Sequence, residues 1–147
     1  MTKRAGTNGS VSIRATRPDD AACLLAGRDI ESNRFLGEGD PDPHPEFWIE
    51  VFGQVVGWVD FDLDRTWLQP GEVNIGYNVF PAHRGYGFAT VAVRLLLDHL
   101  EEDTDFTVAT LLIDQRNERS MAVAERLGCE RQPDFDRNAY FKLVLNN

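Results

Sequence analysis

The 147-residue sequence contains no long apolar run and only two cysteines, and these absences exclude several classes of protein. The longest apolar stretches, such as FTVATLLI, are far too short to span a bilayer. The N-terminus lacks the apolar core of a secretion signal. Cys23 and Cys129 are distant in sequence and belong to no metal-binding motif, which favours two reduced thiols over a disulfide. We therefore expect a cytoplasmic protein with no membrane partner and no metal site.

Positive charge is also scarce in this chain. Lys and Arg together number 15 against 24 Asp and Glu, so the formal net charge is -9. Binding to nucleic acid requires a positive field, so we expect no nucleic-acid partner. The acidic balance fits a cationic or amine-bearing partner, and it fits a purely solubilising surface equally well.

Length and composition indicate one globular domain. Hydrophobic residues make up 42% of the 147 positions, which is enough for one sizeable core. Residues 1–10 are predicted to be a flexible tail, and residues 11–147 are predicted to form a single domain.

Hydrophobic periodicity predicts strands and helices in the order β-α-β-β-β-α-β-α-β. A strand, a helix and a further strand in the second half imply a parallel pair, whereas the hairpin signal at Gly53 implies antiparallel pairing. These features indicate an α/β or α+β domain with a mixed sheet against helices. The predicted strands are 11–16, 46–52, 54–64, 72–80, 106–114 and 138–146, the predicted helices are 18–29, 87–102 and 118–128, and the predicted loop is 33–45.

The hexapeptide RGYGFA, residues 84–89, lies where a strand gives way to a helix. A helix N-terminus leaves its first N–H groups unpaired, and glycine lets the backbone bend so that such groups converge. Arg84 adds a cation whose donors suit phosphate. These properties predict a pyrophosphate cradle, and an ordinary tight turn with a surface arginine is the alternative. The dinucleotide fingerprint G-x-G-x-x-G fails, because Thr90 occupies the place of its third glycine.

The same hexapeptide resembles the R/Q-x-x-G-x-G/A signature of the GNAT superfamily, the acyl-CoA-dependent N-acyltransferases. Residues 74–90, NIGYNVFPAHRGYGFAT, are similar to the longer form found in the branch that acetylates ribosomal-protein N-termini and related amines. Residues 115–130, QRNERSMAVAERLGCE, are similar to the next motif of that branch. The resemblance covers about residues 11–146 and implies a central mixed, mostly antiparallel sheet with a splayed parallel strand pair, flanked by helices.

The resemblance also implies acetyl-CoA as cofactor. In the family, backbone N–H groups of the turn hold the pyrophosphate, and the pantetheine arm pairs with the strand that precedes the turn. Asn117 matches an asparagine that contacts the pantetheine arm, and an ordinary helix N-cap is the alternative reading of that residue. The cofactor-binding residues implied in this way are Tyr77, Val79, Arg84, Gly85, Tyr86, Gly87, Phe88, Ala89, Thr90 and Asn117.

The function implied is transfer of an acetyl group from acetyl-CoA to a primary amine, of a small molecule or of a protein or peptide N-terminus. Such a reaction needs a base for the amine proton and an acid for the leaving thiolate. Many family members use a tyrosine as the acid, but alignment on Leu127-Gly128 puts Ala124 at that position. An N-acetyltransferase is the favoured interpretation, and this departure motivates the alternative, a non-catalytic acyl-CoA-binding module.

Three side chains are candidates for the proton transfers. Ser120, one helical turn before Ala124, and Tyr140 on the last strand are candidate acids, and Glu72 at the start of the strand 72–80 is the candidate base. A surface serine, a tyrosine that serves core packing and a solvated strand-end glutamate are the respective alternatives.

An acidic strand is the candidate acceptor site. Asp60, Asp62 and Asp64 alternate with Phe61 and Leu63, so the three carboxylates are predicted to share one strand face. That face could hold a cationic amine, and a merely solvated face is the alternative. A homodimer remains open.

Overall fold

The structure of the protein is a computed structural model that describes residues 4–8, 10–15 and 47–146. The predicted helix 18–29 and the predicted loop 33–45 lie outside the described residues. Contacts divide the chain into two compact units. The first unit comprises Met1–Asp60 and Tyr77–Leu96, and the second comprises Phe61–Gly76 and Leu97–Asn147. In the described part of the chain no helix is long and apolar enough to cross a membrane.

The first unit contains four consecutive antiparallel strands: β1 (Arg4–Asn8), β2 (Val11–Ala15), β3 (Phe47–Val51) and β4, which begins at Gln54 and ends at Asp62 just inside the second unit. Register pairs Ile13 with Ile49, and both are fully buried. Arg14 of β2 and Glu50 of β3 lie on the opposite face of the two strands, where they form a buried ion pair. A charged pair at this depth is tolerated because each group is the other's partner.

Strand β1 corrects the predicted flexible tail over residues 1–10, because Arg4–Asn8 pair with β2. The pairing Asn8↔Val11 leaves two residues between the paired positions, a spacing typical of a tight hairpin. Strand β1 is the first strand in the sheet order and is stabilised by backbone pairing with β2. Its sequence has no alternation of apolar and polar residues, so hydrophobic periodicity did not predict it. The Asn-Gly-Ser sequence at residues 8–10 was the available hairpin signal.

The hairpin predicted at Gly53 is confirmed. Phe52 and Gly53 both have positive φ, 50° and 80°, and join β3 to β4 through the pair Val51↔Gln54. Two positive φ angles in a two-residue loop match the twist of the flanking strands.

Strand β5 (Glu72–Val79) has its last three residues in the first unit, beside β4. The approach is close at Gly57, since a Cβ built there would lie 2.2 Å from Asn78 O. After β5 come a 3₁₀ turn, Pro81–His83, and helix α1, Phe88–Asp103. The helix buries one apolar stripe: Ala92, Val93, Leu95, Leu96, Leu97 and Leu100.

The second unit contains the predicted parallel pair. The start of β5 runs parallel to β6 (Val108–Asp114) through Glu72↔Val108 and Asn74↔Thr110. Helix α2 (Glu118–Arg126) follows, then β7 (Glu130–Phe135) and β8 (Asn138–Val144). Strand β8 pairs antiparallel with both β6 and β7. The strand order is β1-β2-β3-β4-β5-β6-β8-β7, so the predicted mixed, mostly antiparallel sheet with flanking helices is confirmed.

Strand β7 was not predicted. Its sequence, ERQPDF, has no apolar alternation, and most of its residues are exposed because it is the last strand in the order. The register shifts between Gln132 and Phe135, where Pro133 can donate no hydrogen bond. A strand at the edge of a sheet tolerates proline, but proline within a sequence argues against a strand there, so β7 was missed.

Replacing Gly57 by alanine should lower the free energy of unfolding by about 1 to 3 kcal/mol, the usual cost of overpacking. The added methyl would meet Asn78 O and force β4 and β5 apart. Urea unfolding measures the effect. Gly53→Asn is the matched control, since nothing lies within 4 Å of a Cβ there and asparagine tolerates positive φ. Equal stability of Gly57→Ala and wild type would show that the two strands separate at no cost.

Candidate active site

The turn before α1 has the conformation that its two glycines permit. Gly85 has φ of 88° and Gly87 has φ of 80°, both in the left-handed region that other residues adopt with strain. A Cβ added to either glycine would meet nothing within 4 Å. The surface of this turn is therefore open, and the glycines serve backbone conformation rather than close packing.

Helix α1 begins directly after these glycines, so its first N–H groups lie at the turn. The bond from Val91 N to Gly87 O, 3.3 Å long, closes the first helical turn. The N–H groups of Phe88, Ala89 and Thr90 precede that bond and lie at the positive end of the helix dipole. The turn therefore combines open backbone donors with a favourable field for an anion.

Thr90 adds a hydroxyl that has no hydrogen-bond partner among the residues that the structure describes. Its Oγ1 is buried and makes no hydrogen bond. A buried hydroxyl without a partner is costly, so the atom suits a site that a ligand completes. Sequence reasoning included Thr90 only through the family motif.

Arg84 has partners that differ from the predicted phosphate. Its Nε donates to Val79 O at 2.7 Å, and its Nη2 donates to Asn78 Oδ1 at 3.2 Å. The guanidinium thus ties the turn to the end of β5. Val79 O, in the strand stretch predicted to pair with pantetheine, already accepts a hydrogen bond. A sequence cannot show which way a flexible side chain turns.

Two aromatic rings flank Gly87. The rings of Tyr86 and Phe88 stack with centroids 5.5 Å apart and planes inclined by 20°. Tyr86 is 71% exposed. Tyr77, also expected near the cofactor, lies in β5 and is half-buried.

Asn117 is the N-cap of α2. Its Oδ1 accepts a hydrogen bond from Ser120 N at 3.2 Å. The N-cap reading is therefore confirmed, and the predicted contact with the pantetheine arm remains a prediction. Ser120 lies in the first turn of the helix and is half-buried.

The position of the missing tyrosine lies in the core. Ala124 is fully buried on α2. A tyrosine at this position would need space that the packed helix does not provide. The sequence departure at Ala124 is therefore matched by its burial in the packed core, and an acid must come from another side chain.

Glu72 is neither solvated nor placed as a typical base. It is 8% exposed, its Oε2 accepts from Lys142 Nζ at 2.8 Å, and its Oε1 accepts from Gln69 N at 3.0 Å. Burial acts to raise its pKa, but these hydrogen bonds and the charge of Lys142 outweigh burial and hold the pKa below its usual value. A carboxylate stabilised in this way is a weak proton acceptor.

Tyr140 shares a polar cluster with Glu72. Its ring lies 5.7 Å from Lys142 Nζ, and nearby Thr110 donates to Asn74 Oδ1 at 3.1 Å. Burial raises the pKa of Tyr140; the charge of Lys142 and a hydrogen bond with Thr110 lower it, while the charge of Glu72 raises it. The net shift is upward, so the hydroxyl stays protonated at neutral pH.

The structure thus brings together two of the three candidate catalytic residues, Glu72 and Tyr140, through Lys142. Sequence reasoning missed Lys142, Thr110 and Asn74. The signal for Lys142 was its position, two residues after Tyr140 on an otherwise apolar strand. Tyr140 also packs against Phe135, with centroids 6.3 Å apart, so the packing reading is correct in part.

The acidic strand is shorter than predicted. Asp60 and Asp62 lie in β4 two residues apart, but Asp64 follows the end of the strand and does not continue its alternation. Asp62 accepts a hydrogen bond from Arg65 Nε at 3.0 Å, so its charge is partly neutralised on the surface. The prediction of three carboxylates on one strand face is therefore wrong for Asp64.

Comparison with known proteins identifies the family. The family model described as acetyltransferase (GNAT) domain matches residues 11–130, which is most of the chain. The chain therefore belongs to the GNAT acetyltransferase family, and the resemblance inferred from the sequence is confirmed. No curated protein matches the chain in a sequence search.

Solved GNAT structures share the fold but little sequence. An acetyltransferase of the GNAT family from Bacillus anthracis has a TM-score of 0.78 and 16% identity, over 98% of both chains. The aminoglycoside acetyltransferase AAC(6')-Ib, solved with coenzyme A and kanamycin, has a TM-score of 0.78 and 21% identity, over 92% of this chain and 95% of that chain. RimL, a ribosomal L7/L12 alpha-N-protein acetyltransferase solved with coenzyme A, has a TM-score of 0.69 and 14% identity, over 98% of this chain and 99% of that chain.

Membership of this family gives the class of reaction. The protein is an acetyl-CoA-dependent N-acetyltransferase, as the sequence predicted. The described residues fit the cofactor, because the turn offers an open surface, helix N–H groups and the unpaired Thr90 hydroxyl where a pyrophosphate needs donors.

Replacing Lys142 by methionine should lower the free energy of unfolding by about 1 to 2 kcal/mol at pH 7, less than the cost of breaking a fully buried pair because Lys142 is partly exposed. The pKa of Glu72 is lowered in the folded state, so the contribution of the pair is present above the unfolded value of about 4.3 and is lost as pH falls through the folded pKa. The raised pKa of Lys142 places the alkaline loss above about 10.4.

Urea unfolding at pH 7 and pH 3 measures this dependence, and the difference between variant and wild type should shrink at pH 3. Arg65→Met is the control, because it breaks the exposed pair with Asp62 and should cost about 0 to 1 kcal/mol. An equal deficit for Lys142→Met at both pH values would contradict an electrostatic role for the pair.

Proposed function

We propose that the protein acetylates a primary amine, either of a small molecule or at the N-terminus of a protein or peptide, in the cytoplasm. The observation that carries the proposal is the turn Arg84–Gly87 at the start of α1, joined to membership of the GNAT family. Two proteins of similar fold support the acceptor class: one was solved with kanamycin, and the other is an alpha-N-protein acetyltransferase.

In this proposal the first unit holds the nucleotide end of acetyl-CoA. Backbone N–H groups from Gly85 to Thr90 bind the pyrophosphate, and the Thr90 hydroxyl donates a further hydrogen bond. Arg84 acts through its bonds to Val79 and Asn78, which fix the turn against the strand. Its charge also contributes a positive field beside the phosphates.

The proton transfers are assigned from the protonation states of the side chains. Tyr140 is the preferred acid, because its hydroxyl is protonated at neutral pH and can give that proton to the leaving thiolate. Glu72 is held as a carboxylate by Lys142 and is better suited to stabilise charge than to remove the amine proton. Ser120 remains the second candidate acid.

The acceptor is proposed to be cationic before it reacts. The net charge of -9 creates a field that attracts a protonated amine, and salt should weaken the attraction. Asp60 and Asp62 are the candidate carboxylates for its capture, because they lie two residues apart in β4, whereas Asp64 lies beyond the strand.

A second function has one observation in its favour. Because Ala124 replaces the usual tyrosine and is fully buried, a non-catalytic acyl-CoA-binding protein is the alternative. A panel of amines and N-terminal peptides, assayed for release of the CoA thiol above the rate without acceptor, separates the two. Binding of CoA without release for any acceptor would favour the binding protein.

Gly87→Asp should abolish measurable CoA binding in calorimetry. The carboxylate would stand at the open face of the turn and repel the pyrophosphate. Gly53→Asp is a matched control, since both glycines have φ of 80° and nothing lies within 4 Å of a Cβ at either position. Unimpaired binding by the Gly87 variant would exclude this turn as the pyrophosphate site.

Tyr140→Phe should lower kcat by about 10²- to 10⁴-fold if Tyr140 is the acid, with little change in CoA affinity. Glu72→Gln should lower the free energy of unfolding, since the main partner of Glu72 is Lys142. It should slow the chemical step only slightly. Single-turnover rates and urea unfolding of both variants provide the comparison. A fall in rate for Glu72→Gln as large as that for Tyr140→Phe would restore Glu72 as the base.

A further inference from the structure

The exposed ring of Tyr86 is unusual for its place in the fold. A tyrosine between two left-handed glycines serves no core, yet its side chain is 71% exposed and stacks on Phe88. Among the described residues, Phe52 and Tyr86 are the aromatic side chains that are more than half exposed. Phe52 lies at the β3–β4 hairpin, whereas Tyr86 lies inside the turn that offers donors to an anion.

We infer that Tyr86, supported by Phe88, is a stacking platform for the adenine base of CoA. The inference rests on the use of acetyl-CoA and on the proposed pyrophosphate site. Adenosine is attached to the pyrophosphate directly, at the end opposite to the pantetheine arm. When the phosphates are held by N–H groups on both sides of Tyr86, the base emerges beside this turn.

The geometry of the two rings supports this role. Their planes are inclined by only 20°, so one face of the Tyr86 ring is covered by Phe88 and the other is available to a flat partner. A base stacks on such a face without needing hydrogen bonds to its edges. Because Phe88 already orients the tyrosine, less conformational freedom is lost when the base binds.

Chemistry at the turn favours a nucleotide over a plain anion. The N–H groups account for phosphate alone, and an exposed aromatic stack adds nothing to the binding of inorganic phosphate. A ligand with a pyrophosphate and a purine uses both features. The platform therefore contributes to the preference for the complete CoA over its pantetheine fragment.

Etheno-CoA, which carries a fluorescent base, and 4′-phosphopantetheine, which lacks adenosine, test the inference on the full chain. Tyr86→Ala should weaken CoA binding about 5- to 150-fold, the range expected for the loss of one base–aromatic stack. The affinity for 4′-phosphopantetheine, measured by displacement of etheno-CoA, should not change. Emission of etheno-CoA should be quenched on binding to wild type and to Tyr86→Phe, and much less on binding to Tyr86→Ala.

Phe52→Ala is the control, because it removes an aromatic ring that is 88% exposed in a different turn, the β3–β4 hairpin. Equal losses for CoA and 4′-phosphopantetheine in Tyr86→Ala would show that Tyr86 shapes the turn and would overturn the platform. Unchanged CoA affinity would overturn it as well. In both cases wild type still binds CoA, so the proposed function stands. Failure of wild type to bind CoA would overturn the proposed function and the platform together.

Discussion

The first N–H groups of a helix have no partner within the helix, and the proposed cofactor site depends on this constraint. In α1 they point into a turn whose glycines, Gly85 and Gly87, adopt φ angles that leave the backbone open. Arg84 then joins the turn to Val79 and Asn78. The N–H donors, the open shape of the turn and its attachment to β5 all follow from one short segment of the chain. An anion with several oxygen atoms satisfies these donors better than water does, because the donors are already in place.

Buried charge organises the second unit in a different way. Glu72, Lys142 and Tyr140 come from β5 and β8, which are separated by β6. Glu72 needs Lys142, since a carboxylate that is 8% exposed requires a partner. The resulting pair lowers the pKa of Glu72 and leaves Tyr140 protonated. The two side chains therefore differ in what they can do with a proton: Tyr140, a candidate acid, keeps its proton, whereas Glu72, the candidate base, is held as a carboxylate of low proton affinity.

The elements predicted from the sequence were those with strong local patterns. The hairpin at Gly53 and the strand that begins at Glu72 depend on neighbours in the chain and were predicted correctly. Strands β1 and β7 were missed because edge pairing stabilises them without apolar alternation. The bond from Lys142 to Glu72 joins residues 70 positions apart, and the direction of Arg84 depends on Val79 O. Such contacts are invisible until the fold places the strands.

Cofactor recognition and proton transfer therefore differ in how far a sequence can predict them. In the proposed site the nucleotide would be recognised mainly by backbone groups of one continuous segment, and the short motif in that segment was enough to indicate the family. Proton transfer depends on side chains that tertiary structure brings together, and their pKa values come from burial and charge rather than from residue type. Loss of the usual tyrosine at Ala124 therefore need not remove an acid from the protein. Another buried hydroxyl that stays protonated can take this role, and in the second unit Tyr140 meets that condition.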